Sequence, residues 1–224
     1  MRKTRGYTRD IPKKLKRDYK LFAISCEGGK REPEYFSFFE QISNRIKVDI
    51  VEEIISNSEM RSKYQTKSAP KWVLDRAIKY IDSEGLIEED DLWFVIDKDD
   101  WSNEQLRIIA DYCKDYPNWH IVISNPCFEV WLYFHKKDDM KKFKNLKCKE
   151  LKSELGKFEQ GGYNPQKFIP YFFDAISNAR KNDTNKKHFM PDNCETKMYQ
   201  LGEALIEVIG KNNFKWFLSE KLQS

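Results

Sequence analysis

Acidic side chains follow three apolar runs of this sequence, an arrangement with which a folded chain can bind a metal ion. Glu27 directly follows the run YKLFAISC, and Asp97 and Asp99 follow the run DLWFVI. The run WHIVIS leads into the segment SNPCFE, whose last residue is Glu129. Carboxylate oxygens are hard ligands that suit Mg²⁺ or Mn²⁺, and such an ion can in turn bind phosphate oxygens. The sequence therefore predicts a metal site made of these acids if the fold brings the ends of the runs together.

Each acid also has an ordinary structural interpretation. Glu27 precedes two glycines whose conformational freedom suits a surface turn. The segment DKDDWSNEQ can form a capped loop in which Asp100 or Ser102 starts the next helix. Glu129 can interact with the dipole of a helix that Ser124 or Asn125 caps. Convergence of the three strand ends is what favours the metal site over these alternatives.

The elements that must position these acids form an alternating pattern of strands and helices. Strands alternating with helices favour a mostly parallel α/β sheet flanked by helices. In such a sheet the ligand crevice lies beyond the carboxyl ends of the strands, where the acids are placed. The predicted strands cover residues 19–26, 47–55, 91–96 and 119–124, and the predicted helices cover 33–46, 69–84, 102–116 and 127–135.

The strand pattern stops after residue 136, and this divides the chain into three parts. Residues 1–17 form a basic arm that we expect to be flexible, and residues 18–136 form the α/β core. Residues 137–224 are lysine-rich at first and then mainly helical. We expect this C-terminal helical extension to pack on the core, and its lysines could contact a nucleic-acid backbone.

Composition restricts the class of protein further. The 40 basic and 36 acidic side chains give a net charge of +4, which permits a nucleic-acid partner without establishing one. The five cysteines are scattered, without the paired spacing typical of zinc sites, and we interpret them as reduced thiols. No apolar run is long enough to span a membrane, and the first residues lack the apolar segment of a signal peptide. We therefore expect a cytoplasmic protein with no membrane partner.

Basic residues beside the acids are candidate contacts to substrate phosphates. These are Lys30 and Arg31, after Glu27, and Lys98, between the two aspartates. The segment GGK lacks the remaining residues of the phosphate-binding pattern G-x-x-x-x-G-K-[ST]. A solvated loop is the alternative interpretation for Lys30 and Arg31.

Three segments in this order resemble the RloB-like proteins of bacterial and archaeal restriction and abortive-infection loci. The segments are CEGGKREPEYF, FVIDKDD and SNPCFEVWLYFH, and residues 190–209 are similar to the C-terminal segment of the family. Arg31 stands where the family commonly has threonine, which leaves the role of that position open. The resemblance implies a TOPRIM-type core, a metal-binding α/β module also found in topoisomerases, primases and OLD-family nucleases.

The resemblance also implies roles for the acids. Glu27 would be the glutamate after the first strand, Asp97 and Asp99 the aspartate pair after the third, and Glu129 a further acidic position. On charge alone, the two aspartates are the favoured metal ligands, while Glu27 either completes the metal shell or acts as general base. One ion and two ions are both compatible with this set.

The predicted function is a Mg²⁺- or Mn²⁺-dependent nuclease of a defence system that cleaves DNA or RNA, with an ATPase as a partner suggested by the family. One alternative is a binding module that holds nucleic acid or a nucleotide without cleaving it. A second alternative is nucleotidyl transfer, which uses similar metal chemistry but for which the sequence shows no nucleotide-recognition motif.

Overall fold

The computed structural model describes most of the chain from residue 20 onwards. The described residues are 20–27, 30–42, 46–50, 73–75, 77–79, 81, 86, 90–99, 101–159 and 163–221. The predicted basic arm at 1–17, both glycines after Glu27 and Asp100 lie outside them.

In the part of the chain that the structure describes, a five-stranded sheet with the order β2-β1-β3-β4-β5 forms the centre of the fold. The first four strands are mutually parallel, and β5 pairs antiparallel with β4. This confirms the predicted α/β class with a mostly parallel sheet. The strands are β1 Lys20–Cys26, β2 Ile46–Ile50, β3 Asp91–Asp97, β4 Trp119–Asn125 and β5 Glu195–Thr196.

Helices cover the sheet and form most of the C-terminal part of the described chain. They are α1 Arg31–Ser37, α2 Asn103–Cys113, α3 Glu129–Phe134, α4 Cys148–Phe158, α5 Pro165–Phe168, α6 Phe172–Asn182, α7 Met198–Ile209 and α8 Lys211–Lys221. Short 3₁₀ turns span Phe38–Gln41, Lys141–Phe143 and Ile169–Tyr171. None of the described helices is long and apolar enough to cross a membrane.

The first helix is shorter than its apolar pattern predicts. Helix α1 gives way to a 3₁₀ turn after Ser37, and Ile46 begins β2 instead of ending a helix. In the predicted helix 69–84, residues 73–75, 77–79 and 81 are helical. Of the predicted strand 47–55, residues after 50 lie outside the described part.

Side chains alternate between two apolar layers, one on each face of the sheet. On β3, Trp93 and Val95 join the larger layer, whereas Phe94 and Ile96 join the smaller one. Burial on both faces explains why β3 is a continuous apolar run instead of an alternating one. The larger layer also contains the aromatic side chains Tyr35, Phe39, Trp131, Phe172 and Phe214. It therefore joins the sheet to the C-terminal helices.

Candidate metal centre

Glu27 is fixed at the carboxyl edge of the sheet by backbone and side-chain contacts to the β3 side. Its amide donates to the carbonyl of Val95 at 3.0 Å, which continues the pairing of β1 with β3. Its Oε2 accepts from the Asp97 amide at 3.0 Å, and its Oε1 accepts from Trp101 Nε1 at 2.7 Å. The half-buried carboxylate thus has a defined orientation beside the end of β3.

Asp97, the last residue of β3, lies at the centre of a group of carboxylates. Its pKa is raised well above the ordinary value, first by burial and then by the charges of Glu32, Glu27 and Glu129. Like charges act this way only when they are close together, because each disfavours ionisation of the others. The contact of Glu27 with the Asp97 amide and these charge interactions place Glu27, Asp97 and Glu129 near one another at one edge of the sheet, whereas Asp99, which was predicted to join them, lies in the exposed turn after β3.

Glu129 is the first residue of α3 and is 1% exposed. Its Oε1 forms an ion pair with Nη1 of Arg31, the first residue of α1. The Tyr163 hydroxyl donates to the Arg31 carbonyl at 2.8 Å, which ties this end of α1 to the segment before α5. The remaining Glu129 oxygen, Oε2, lies 4.0 Å from Cys148 Sγ.

Glu32 is an acidic member of this group that the sequence motifs did not single out. It lies in the first turn of α1, is buried, and has a pKa raised to about 7 by burial and by the charge of Glu129. Helical spacing in the sequence could have identified Glu32 as a buried position, because it precedes Tyr35 and Phe36 by three and four residues. Both aromatic side chains are buried in the larger layer, so position 32 lies on the buried face of the helix.

Asp99 lies where the chain has left β3. The strand ends at Asp97, and Asp99 has a φ of +31° and an exposed side chain. Its amide donates to the carbonyl of Pro126 at 2.8 Å, and the Lys98 amide donates to that of Ser124 at 2.8 Å. The loop is thereby held to the end of β4, with Asp99 in a turn that faces solvent and Lys98 half-buried.

The two basic residues after Glu27 have different environments. Lys30 is exposed, with its Nζ 4.0 Å from Glu34. Arg31 is two-thirds buried against Glu129, so part of its charge is already neutralised within the protein. Lys30 faces solvent at the edge where the acids converge.

The predicted capping of the helix that carries Glu129 is wrong. Ser124 belongs to β4, and its hydroxyl hydrogen-bonds that of Thr196 on β5 at 2.8 Å. Asn125 ends the strand, and its side chain donates to the carbonyl of Pro191 at 3.0 Å. Helix α3 begins only at Glu129, so Phe128 takes the N-cap position and no side chain caps the helix.

The donors at this edge suit a hard divalent cation held through a pair of carboxylates, since in the described part of the chain no three carboxylates place their oxygens within 4.8 Å of one another. Glu27 and Asp97 supply carboxylate oxygens, and Glu32 and Glu129 add negative charge around them. Mg²⁺ usually keeps several waters and binds through one or two carboxylates, so it does not require all of these groups as direct ligands. The residues present match the chemistry of Mg²⁺ or Mn²⁺.

Comparison with known proteins gives one match. A family model described as RloB-like protein matches residues 22–205 of the chain. The matched range contains all four acids that the sequence motifs single out. Searches among the curated proteins and among the solved structures find no match.

Proposed function

The chain belongs to the RloB-like protein family, and from this premise we propose that it is a Mg²⁺- or Mn²⁺-dependent nuclease of a phage-defence or abortive-infection system. The observation that carries the proposal is the contact of Glu27 with the Asp97 amide at 3.0 Å, next to Glu32 and Glu129, whose charges act on Asp97. Crowded carboxylates repel one another, and a divalent cation relieves that repulsion. The position at the carboxyl edge of a mostly parallel sheet is where α/β proteins bind ligands.

The acids would have different roles in binding the ion. Asp97 and Glu27 would be its protein ligands, with Glu129 and Asp99 as the further acidic positions. When bound, the ion supplies neutralisation of phosphoryl charge and a water of lowered pKa. The hydrogen bonds from Trp101 and from the Asp97 amide keep the Glu27 carboxylate in place, which limits the reorganisation that binding requires.

Basic groups near this edge would position the nucleic acid. Lys30 is exposed beside the acids and is the favoured phosphate contact, with the half-buried Lys98 as a second candidate. Arg31 is already paired with Glu129, so its contribution to substrate binding depends on whether this ion pair persists when DNA or RNA is bound. Such contacts fix the position of a strand without reading its sequence.

Cleavage assays on labelled DNA and RNA with Mg²⁺ and with Mn²⁺ test the proposal. Asp97→Asn keeps the backbone amide that Glu27 accepts from but removes one negative charge. We expect single-turnover cleavage to fall about 100-fold or more, while binding measured at fixed salt stays close to that of the wild type. The matched control is Asp111→Asn, an exposed residue of α2 that pairs with Lys114 at 2.6 Å and should cleave at the wild-type rate.

Two outcomes would overturn the proposal. Cleavage by Asp97→Asn at the wild-type rate would remove this residue from the chemistry. Binding without cleavage by the wild-type protein, across both metals, both nucleic acids and added ATPase partner, would instead favour the binding module. Incorporation of a nucleotide in place of cleavage would point to nucleotidyl transfer.

A further inference from the structure

Two cysteines and Glu129 form a buried group next to the acidic edge. We call Cys127, Glu129 and Cys148 the thiol cluster. Their candidate ligand atoms all lie within 4.8 Å of one another, and no other set of three such donors in the described part of the chain does so. All three residues are buried. Zn²⁺ and similar ions are bound by such mixtures of sulfur and carboxylate oxygen.

Packing of α3 against α4 creates the cluster, so sequence spacing could not show it. Cys127 lies between β4 and α3, Glu129 begins α3, and Cys148 begins α4. The contrast is Cys113, which is buried with apolar residues of the smaller layer, where burial alone raises its pKa to about 12.

Glu129 is oriented as a metal ligand would be. Arg31 binds Oε1, which leaves Oε2 directed towards Cys148 Sγ at 4.0 Å. When a partner binds one oxygen of a metal-binding carboxylate, it fixes the direction in which the other oxygen points. The ion pair with Arg31 therefore supports ligation through Oε2.

The charges around the cluster would favour binding of a divalent ion. Two thiolates, Glu129 and the nearby Asp97 would supply four negative charges, since Asp97 interacts electrostatically with both cysteines. Arg31 and Lys152, which lies beside Cys148, supply two positive charges. Because Glu32 also interacts electrostatically with Glu129, negative charge exceeds positive charge around the cluster, and a divalent ion would offset part of the excess.

We propose that the thiol cluster binds a borderline-soft divalent transition-metal ion such as Zn²⁺, through Cys127 Sγ, Cys148 Sγ and Glu129 Oε2. A water molecule would take the fourth position, because no carboxylate besides Glu129 in the described part of the chain belongs to the set whose ligand atoms all lie within 4.8 Å of one another. This site differs from the proposed Mg²⁺ or Mn²⁺ site, whose protein ligands are all oxygens, and it shares Glu129 with that site. The proposal does not depend on nuclease activity, because it rests on the sulfur donors and their surroundings.

Co²⁺ is the probe, because a thiolate-bound cobalt ion gives a sulfur-to-metal charge-transfer absorption that an all-oxygen site does not. Wild-type protein would be titrated with Co²⁺ in a non-thiol reductant and excess Mg²⁺. We expect the absorption to saturate near one equivalent and to disappear when Zn²⁺ is added. It should be lost in Cys127→Ser and in Cys148→Ser and retained in the control Cys113→Ser.

A second measurement needs no variant and covers the case in which a serine substitution prevents folding. Wild-type protein would be alkylated with and without Zn²⁺, and the modified peptides would be quantified by mass spectrometry. We expect Zn²⁺ to slow modification of Cys127 and Cys148 at least severalfold relative to Cys113. Equal rates with and without Zn²⁺, or no charge-transfer absorption in the wild type, would overturn the proposal.

Failure here is distinguishable from failure of the proposed nuclease. Cleavage with Mg²⁺ but no cobalt-thiolate absorption would retain the nuclease and remove the thiol site. Cobalt-thiolate absorption without cleavage would retain the thiol site and remove the nuclease.

Discussion

Two aspartates two positions apart have different environments in this protein. Asp97 ends a buried strand among other carboxylates, whereas Asp99 lies exposed in the following turn. In an extended strand, side chains two positions apart point to the same side. Strand β3 ends at Asp97, so this rule does not extend to Asp99. The position of half-buried Asp97 among other carboxylates makes it the more sensitive reporter of metal binding.

Metal binding should be visible in the stability of the protein. A ligand that binds only the folded state raises the melting temperature, and we expect Mg²⁺ or Mn²⁺ to do so for the wild type. In Asp97→Asn, relief of carboxylate repulsion should raise the melting temperature measured in EDTA, and the metal-dependent rise should largely disappear. Thermal unfolding with and without metal checks both. An undiminished rise in the variant would show that the ion binds elsewhere.

The raised pKa of Glu32 predicts a pH dependence of stability. An acid whose pKa is about 7 in the folded state and 4.5 ordinarily stabilises the fold fully below pH 4.5. That stabilisation is lost as pH rises to about 7. Glu32→Gln should therefore increase the free energy of unfolding at both pH values, and the increase should be about 2 kcal/mol larger at pH 8 than at pH 5.5.

Urea unfolding at both pH values in EDTA measures the Glu32 effect. Glu34→Gln is the matched control, because Glu34 lies on the same helix but is exposed. Its effect should be the same at the two pH values. Equal effects of Glu32→Gln at the two pH values would contradict the prediction.

At the scale of elements, the agreement between sequence and structure follows from burial. Strands β1, β3 and β4 lie within a residue of their predicted bounds, since β1 and β3 are largely apolar runs buried on both faces and β4 is buried over residues 122–124. Strand β5 has two residues and one short pairing, too little for any periodicity. The acids at the strand ends could be predicted from that pattern, whereas the thiol cluster depends on helix packing, which leaves no trace in local spacing.

Two glycines in helices predict substitutions of opposite sign. A Cβ at Gly202 in α7 would lie 2.9 Å from Ile176 Cγ1 and 3.3 Å from Phe172 Cζ, both on α6. At Gly156 in α4 nothing lies within 4 Å of that position. Gly202→Ala should destabilise the protein by about 1 kcal/mol or more, because overpacking outweighs the helix-propensity gain.

The matched substitution, Gly156→Ala, should stabilise the protein by about 0.5–1 kcal/mol. Chemical denaturation measures both variants under the same conditions. Adding Ile176→Val, which shortens the obstructing side chain, should recover part of the loss in Gly202→Ala. A stabilising Gly202→Ala would mean that α6 and α7 can separate at no cost.

For the whole molecule, the distribution of basic residues matters more than the small net charge. The lysines are not equivalent, since Lys136 and Lys167 both pair with the buried Glu159 and serve the structure. Exposed Lys30 at the acidic edge and exposed Lys114 just after α2 differ mainly in position. Helix α2 leads back towards the amino end of β4, so Lys114 lies away from the candidate site.

Salt dependence of nucleic-acid binding should distinguish these two lysines. Each phosphate contact on a single strand changes the slope of log K against log salt by about 0.7. Lys30→Gln should therefore reduce the slope by about that amount, and Lys114→Gln should leave it unchanged. Binding of a short single-stranded oligonucleotide across a salt series provides the measurement. Equal slopes in the two variants would remove Lys30 from the interface.

The ion pair between Arg31 and Glu129 has a consequence for how the protein is made in the cell. A buried carboxylate without a partner is costly, and a metal ion is the usual remedy at an acidic site. Here a cation built into the chain already accompanies Glu129, so we expect the newly synthesised protein to reach its native state while divalent ions are scarce. Maturation and ion uptake then become separate events, and the supply of metal can govern when the finished protein acquires its ion.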